Sequence, residues 1–203
     1  WQRTEVPLEK GADGVWTVFL SDEKYAGRLV HGSLVKMLVH GDNGWLERIP
    51  SYIRRVVQDE RTKDFCGQFW NPEPFDWGGD DFDISKNGSL LIYEAHVGMA
   101  QEEERVGTYR EFARNVLPRI KKLGYNTVQL MAVAEHPYYG SFGYHVSSFF
   151  AASSRFGTPE DLKALIKKAH GMGLAVIMDL VQAHYVKNVN EGLNELDGTD
   201  HLY

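Results

Sequence analysis

Three short, nearly continuous apolar runs constrain this fold more than any other feature: Leu90-Leu-Ile-Tyr93, Thr127-Val-Gln-Leu-Met131 and Leu174-Ala-Val-Ile-Met178. Strands that are apolar on both faces belong inside a parallel sheet covered by helices, and parallel neighbours need a crossover between them. The first crossover opens at Thr108-Tyr-Arg-Glu111, which reads as a capping box. Phe112, Val116, Ile120 and Leu123 then form an apolar stripe before Gly124 closes the helix. Pro118 lies inside that stripe and has no amide hydrogen, so it must kink the helix or begin its second half. In the second crossover, Thr158 is the expected N-cap, Pro159 takes the first helical position, and Leu162, Leu165, Ile166 and Ala169 form the buried stripe. The pattern is βαβαβ with right-handed crossovers, an α/β architecture.

In such a sheet the loops at the strand C-termini carry the chemistry. Two segments stand there, Glu135-His-Pro-Tyr-Tyr-Gly-Ser-Phe-Gly-Tyr144 and Asp179-Leu-Val-Gln-Ala-His184. A carboxylate and an imidazole can hydrogen-bond hydroxyl groups, and a tyrosine ring offers an apolar face. On spacing alone, Asp179 could equally cap a turn and His184 could be a structural histidine.

Residues 1–77 read differently. Val15-Trp-Thr-Val-Phe-Leu20 and Leu34-Val-Lys-Met-Leu-Val39 are strand-like, with turn signals at Gly11-Ala-Asp-Gly14 and Gly41-Asp-Asn-Gly44, and they predict a small β-sandwich with Trp16 in its core. Pro72, Pro74, Gly78, Gly79 and neighbouring aspartates punctuate the chain, and residues 78–88 are assigned to a linker. Trp70, Phe75 and Trp77 are expected to pack this linker onto the following domain. Phe149 and Phe150 are expected in the core.

Composition excludes several partners. A formal net charge of -6 over 203 residues argues against nucleic acid, which needs clustered Lys and Arg; the pairs Arg54-Arg55 and Lys167-Lys168 read as solvated faces. The apolar runs fall far short of the roughly 20 residues of a membrane span, and no signal segment is apparent. Cys66 is the only cysteine, so no intrachain disulfide can form, and a cytoplasmic location is expected. The chain starts at Trp1 and both ends lie in patterned sequence, which reads as a piece of a longer protein.

Several stretches together resemble the α-amylase superfamily, and within it the glucan branching enzymes. They are Tyr93-Glu-Ala-His-Val-Gly98, Val116-Leu-Pro-Arg-Ile-Lys-Lys-Leu-Gly-Tyr-Asn126, Gln129-Leu-Met131, Glu135-His136, Ser141-Phe-Gly-Tyr144, Ser148 through Pro159 and Asp179 through His184. The resemblance implies a (β/α)₈ barrel acting on α-1,4-glucan by a retaining mechanism with two carboxyl groups about 5 Å apart. In branching enzymes the covalently held chain passes to a sugar 6-hydroxyl and makes an α-1,6 branch. The resemblance assigns Tyr144, Asp179 and His184 to the subsite of the attacked sugar. Glu135 and His136 join the substrate-binding set, although shaping of their loop is an equal alternative. Tyr138, Tyr139 and Phe142 extend an aromatic wall, and His96 is inward-facing support. Residues 1–77 resemble an incomplete early-set carbohydrate-binding β-sandwich, with Trp1, Gln2 and Arg3 on a secondary glucan-binding surface.

The same resemblance implies no cofactor. Ala183 replaces an asparagine that helps hold calcium in many α-amylases, and a methyl group supplies no oxygen ligand, so no metal is expected here. A whole barrel takes about 250 residues, so residues 89–203 are expected to supply the first three βα units only. The family's nucleophile and acid/base then fall beyond Tyr203, Glu94 is not one of them, and the chain alone is expected to be inactive. Two rivals stand beside the branching reading: a non-catalytic glucan-binding or scaffold protein, and a hydrolase or debranching member of the superfamily.

Overall fold

The computed structural model describes residues 5–201, so Trp1, Gln2 and Arg3 lie outside the described residues. Turns cut the amino-terminal part into short antiparallel pieces. Strands β1 (Glu9–Lys10) and β2 (Trp16–Thr17) form a two-residue ribbon, followed by a single helical turn, α1 (Asp22–Tyr25). The expected strand over 34–39 divides at Lys36 and feeds two sheets. β3 (Leu34–Val35) joins a three-stranded sheet of order β3-β7-β6 with β6 (Val56–Gln58) and β7 (Phe65–Gln68), whereas β4 (Met37–Gly41) pairs with β5 (Gly44–Arg48) across the Asp42-Asn43 turn.

Trp16 is not a core residue: it is 59% exposed, with Lys10 Nζ 5.9 Å from its ring centroid. A two-residue ribbon has no opposing layer, so alternation along it buries nothing. Phe150 is likewise exposed, and its ring lies 4.8 Å from that of the exposed Tyr52. Their strand-like context supplies a face, but here the face is an outer one.

The remaining strands are β8 (Ile92–Ala95), β9 (Thr127–Leu130), β10 (Ala134–Glu135), β11 (Ser148–Ala152) and β12 (Ala175–Met178). The three apolar runs pair as expected. They form a parallel sheet of order β12-β9-β8, with Val128 opposite both Tyr93 and Val176, while β10 and β11 make a separate antiparallel hairpin. One face of the parallel sheet is covered by helices. Val128, Leu130, Leu117, Ile120, Leu165 and Leu174 share a single core there.

The first crossover shows how proline is accommodated. Thr108 and Glu111 cap each other reciprocally and start α2 (Tyr109–Glu111). The helix then widens into a π turn over Phe112–Val116 and resumes as α3 (Leu117–Lys122), with Pro118 in its first turn. The π turn moves the register just ahead of the residue that cannot donate to the i−4 carbonyl. Leu117 is thereby fully buried, whereas Leu123, expected in the stripe, is the C-cap and 69% exposed. The second crossover follows expectation: Thr158 and Asp161 form the capping box of α4 (Pro159–Gly171), which buries Leu162, Leu165 and Ala169.

The junction between the two halves runs along α4. Trp70 Nε1 donates to Glu160 at 2.9 Å, Phe75 and Trp77 meet edge to face, Lys167 donates to the Asp76 carbonyl, and Phe82 stacks on His170 beside an Asp80–His170 contact of 2.6 Å. The basic pairs are therefore not simply solvated. Arg55 is half-buried, stacks over Trp70 and donates to the Gly157 carbonyl, because the junction needs donors facing α4. Leu165→Ala should cost roughly 2–5 kcal/mol in chemical denaturation, as expected for a buried leucine, and Leu123→Ala should stay within about 0.5 kcal/mol.

Candidate functional site

The parallel ladder continues one step past β12, where the Asp179 amide donates to the Leu130 carbonyl at 3.1 Å. Asp179 therefore stands at the C-terminal mouth of the sheet, on the face away from the helices, the face shared by Glu94 and Gln129. Tyr144 comes to the same place by a different route. The turn before it places Phe142 and Gly143 at φ 55° and 90°, and a Cβ at Gly143 would collide with the Ala132 carbonyl. Only glycine allows that approach.

The three residues then connect. Tyr144 donates its phenol to Asp179 Oδ2 at 2.7 Å, and His184 Nε2 lies 2.7 Å from the Tyr144 carbonyl oxygen. A carbonyl only accepts, so Nε2 carries the proton and a neutral His184 keeps Nδ1 as an acceptor. The bond to Asp179, with burial second, pushes the Tyr144 phenol up to about 12, and it stays protonated at ordinary pH. Tyr144 and Asp179 are half-buried and His184 is exposed, so a ligand at this mouth can reach all three.

Glu135 and His136 do not face that mouth. They are 1% and 0% exposed, which corrects the expectation that they touch substrate. Glu135 accepts from the Ser154 amide at 2.7 Å and from the His136 amide at 3.3 Å, while His136 Nδ1 donates to the Ala134 carbonyl. Together they hold the loop between β10 and β11. His96 is buried as support, with ring centroids 5.7, 5.5 and 5.4 Å from Tyr139, Phe142 and Phe156. Burial lowers the affinity of both His96 and His136 for a second proton. Of the expected aromatic wall, Tyr138 and Phe142 are exposed, but Tyr139 packs inward.

Gln129 stands on the same sheet face as Glu94 and Asp179, a placement its residue type alone does not announce. Its side-chain amide lies 3.5 Å from Glu94 Oε1, at the same mouth as Tyr144. Its signal in the sequence is an amide flanked by the apolar Val128 and Leu130. Among the described residues, no three His, Cys, Asp or Glu side chains converge to hold a metal ion.

The family described as alpha amylase, catalytic domain, matches residues 103–196. Curated 1,4-alpha-glucan-branching enzymes match all 203 residues: that of Yarrowia lipolytica at 48% identity and that of Dictyostelium discoideum at 49%. The chain is a relative of the 1,4-alpha-glucan-branching enzymes. The branching enzyme of Solanum tuberosum is 47% identical over 97% of the chain. The resemblance read from the motifs is therefore borne out. The chain spans about 30% of the length of the Yarrowia and Dictyostelium relatives and 23% of the potato one. A solved GBS pullulanase in complex with maltotetraose superposes with a TM-score of 0.66 at 22% identity, covering 85% of this chain and 27% of its own. A Salmonella typhimurium structure provisionally named an alpha amylase gives 0.71 at 22% identity, covering 93% and 29%. The fold is of the alpha-amylase, TIM-barrel kind.

Burial raises Glu135 from an ordinary 4.5 to about 7, against the pull of its two amide donors. The neutral acid is thus the form the fold favours. Its stabilising contribution is complete below about pH 4.5 and is lost as pH rises through about 7. Relative to Glu135→Gln, the unfolding free energy of the wild type should fall by on the order of 3 kcal/mol across that window. Parallel denaturation curves of the two proteins between pH 4.5 and 7.5 provide the check. A constant difference between them would show that Glu135 stays in one protonation state.

Proposed function

We propose that the polypeptide to which these residues belong is an α-1,4-glucan branching enzyme. It cleaves an α-1,4 linkage by retaining double displacement and transfers the chain to a sugar 6-hydroxyl. The observation that carries this reading is the Tyr144–Asp179–His184 constellation at the C-terminal mouth of the sheet, in a chain about half identical to branching enzymes along its whole length.

The chemistry suits a glucan. Asp179 uses Oδ2 for the Tyr144 phenol and keeps Oδ1 for a sugar hydroxyl, and charge-assisted bonds of that kind are the strong ones. His184 offers Nδ1 to a second hydroxyl, and the Tyr144 ring offers its face to the pyranose. The phenol, by bonding to Asp179, holds the carboxylate in one orientation before the sugar arrives. This wall binds and orients; the nucleophile and the acid/base belong to strands outside these 203 residues. Transfer between two carboxyl groups and a sugar hydroxyl requires no cofactor and no metal.

In this reading residues 89–203 are the first three βα units of the barrel, 78–88 are the linker, and 1–77 are part of an early-set carbohydrate-binding β-sandwich. The short antiparallel sheets before residue 77 and the parallel sheet after it support that division. Trp1, Gln2 and Arg3 are proposed as a second glucan contact. No helix among the described residues is long and apolar enough to cross a membrane, and the lone buried Cys66 suits a reducing compartment such as the cytoplasm.

The test uses the full polypeptide and amylose. Branching lowers iodine staining without proportionate release of reducing ends, whereas stoichiometric release would identify a hydrolase. Asp179→Asn and Tyr144→Phe should each lower branching about 10- to 100-fold, the range expected for one hydrogen bond to a charged group. Unchanged rates in both variants would remove the wall from the site.

A further inference from the structure

The loop that carries Asp179 and His184 does not stop at the barrel. It runs on through residues 186–200 and lies against the amino-terminal module, where Arg48 receives it. Arg48 ends β5 and is fully buried. Its Nη1 donates to the Glu195 carbonyl and its Nη2 to the Gly192 carbonyl, both at 2.8 Å. A buried guanidinium is costly unless its donors are used, and here two are used on the backbone of one segment from the other half of the molecule.

Two further contacts fasten the same segment. Asn43 Nδ2 donates to Glu195 Oε2 at 3.3 Å, and the backbones of Gly41 and Gly198 touch, so that a Cβ on Gly41 would collide with the Gly198 carbonyl. At its other end the segment grips the candidate site. Val186 is buried, packs against Gly192 and donates its amide to the Val146 carbonyl at 3.0 Å. Val146 and Val186 each follow a wall residue by two positions, Tyr144 and His184, and those two are bonded to each other at 2.7 Å. The contacts form a continuous chain from Arg48 through Gly192 and Val186 to Tyr144 and His184.

We propose that Arg48 is a positioning residue for glucan binding: from the amino-terminal module it holds the segment after β12 so that His184 and Tyr144 keep their places. This rests on the reading of Tyr144, Asp179 and His184 as the glucan wall. It gives the amino-terminal module a second task besides sugar contact, that of completing the barrel's own subsite. Arginine suits the task because one planar fork reaches two carbonyls at once, which an ammonium cannot do in the same geometry.

The experiment compares Arg48→Met, Arg48→Lys and Gly41→Ala in the full polypeptide. Amide hydrogen exchange over residues 184–198 is read alongside KM and kcat on amylose. Arg48→Met and Gly41→Ala should each speed exchange in that segment about tenfold and raise KM about tenfold, with kcat changed less than threefold. Arg48→Lys should recover part of the KM. Gly41→Ala leaves the buried arginine in place and carries the test alone if Arg48→Met does not fold. Faster exchange with unchanged KM would reduce Arg48 to a structural clamp, and unchanged exchange would show that it does not hold the segment; either result overturns the proposal. Asp179→Asn separates the two layers. If that variant also leaves KM unchanged, the glucan wall itself fails and the glucan role of Arg48 fails with it, while the exchange data still report on the strap.

Discussion

Backbone pairing along both edges of β9 sets where everything else around the parallel sheet can stand. Thr127–Leu130 is bonded to β8 on one side and β12 on the other, with Val128 and Leu130 wholly buried against the helices. Side chains alternate along a strand, so a slip of one residue would drive Glu94 and Gln129 into the apolar core. The register that avoids this also carries one amide further, to Asp179, and so delivers a carboxylate to the sheet mouth. Packing thereby determines the position of that carboxylate. The residues that do the positioning are the apolar ones behind it.

A second constraint comes from the junction. α4 presents Glu160, Lys163, Lys167 and His170 to a stretch rich in aromatic and acidic residues, and the contacts made there are mostly single hydrogen bonds and ring stacks rather than a shared core. Ala151 of β11 is the exception, since it joins the small cluster of Ile49, Val56 and Phe65. Exposed ion pairs and hydrogen bonds are individually worth little. The buried Arg48 and the close Gly41–Gly198 approach add shape to an interface that polar contacts alone would leave loose.

Much of the parallel sheet and its crossovers was legible because their signals are local and redundant. Thr108 and Thr158 announce helix starts three residues ahead of their acidic partners, and the apolar runs can only be buried strands. The meeting of Tyr144, Asp179 and His184 was legible because strand ends bring such residues to one mouth. What was not legible depends on the third dimension. Glu135 and His136 have the residue types of a sugar contact, and only the fold shows that β11 and Ser154 close over them. Trp16 and Phe150 alternate like core residues but lack an opposing layer. Arg48 looks like any strand-terminal arginine, and its partners lie 144 and 147 residues away.

The most direct test of the account is a crystal structure of the full polypeptide with a bound maltooligosaccharide. A glucose unit is expected with hydroxyl groups within hydrogen-bonding distance of Asp179 Oδ1 and His184 Nδ1, its ring over Tyr144, and no sugar atom touching Glu135 or His136. A chain of glucose units bound elsewhere, with that mouth filled only by solvent, would contradict it.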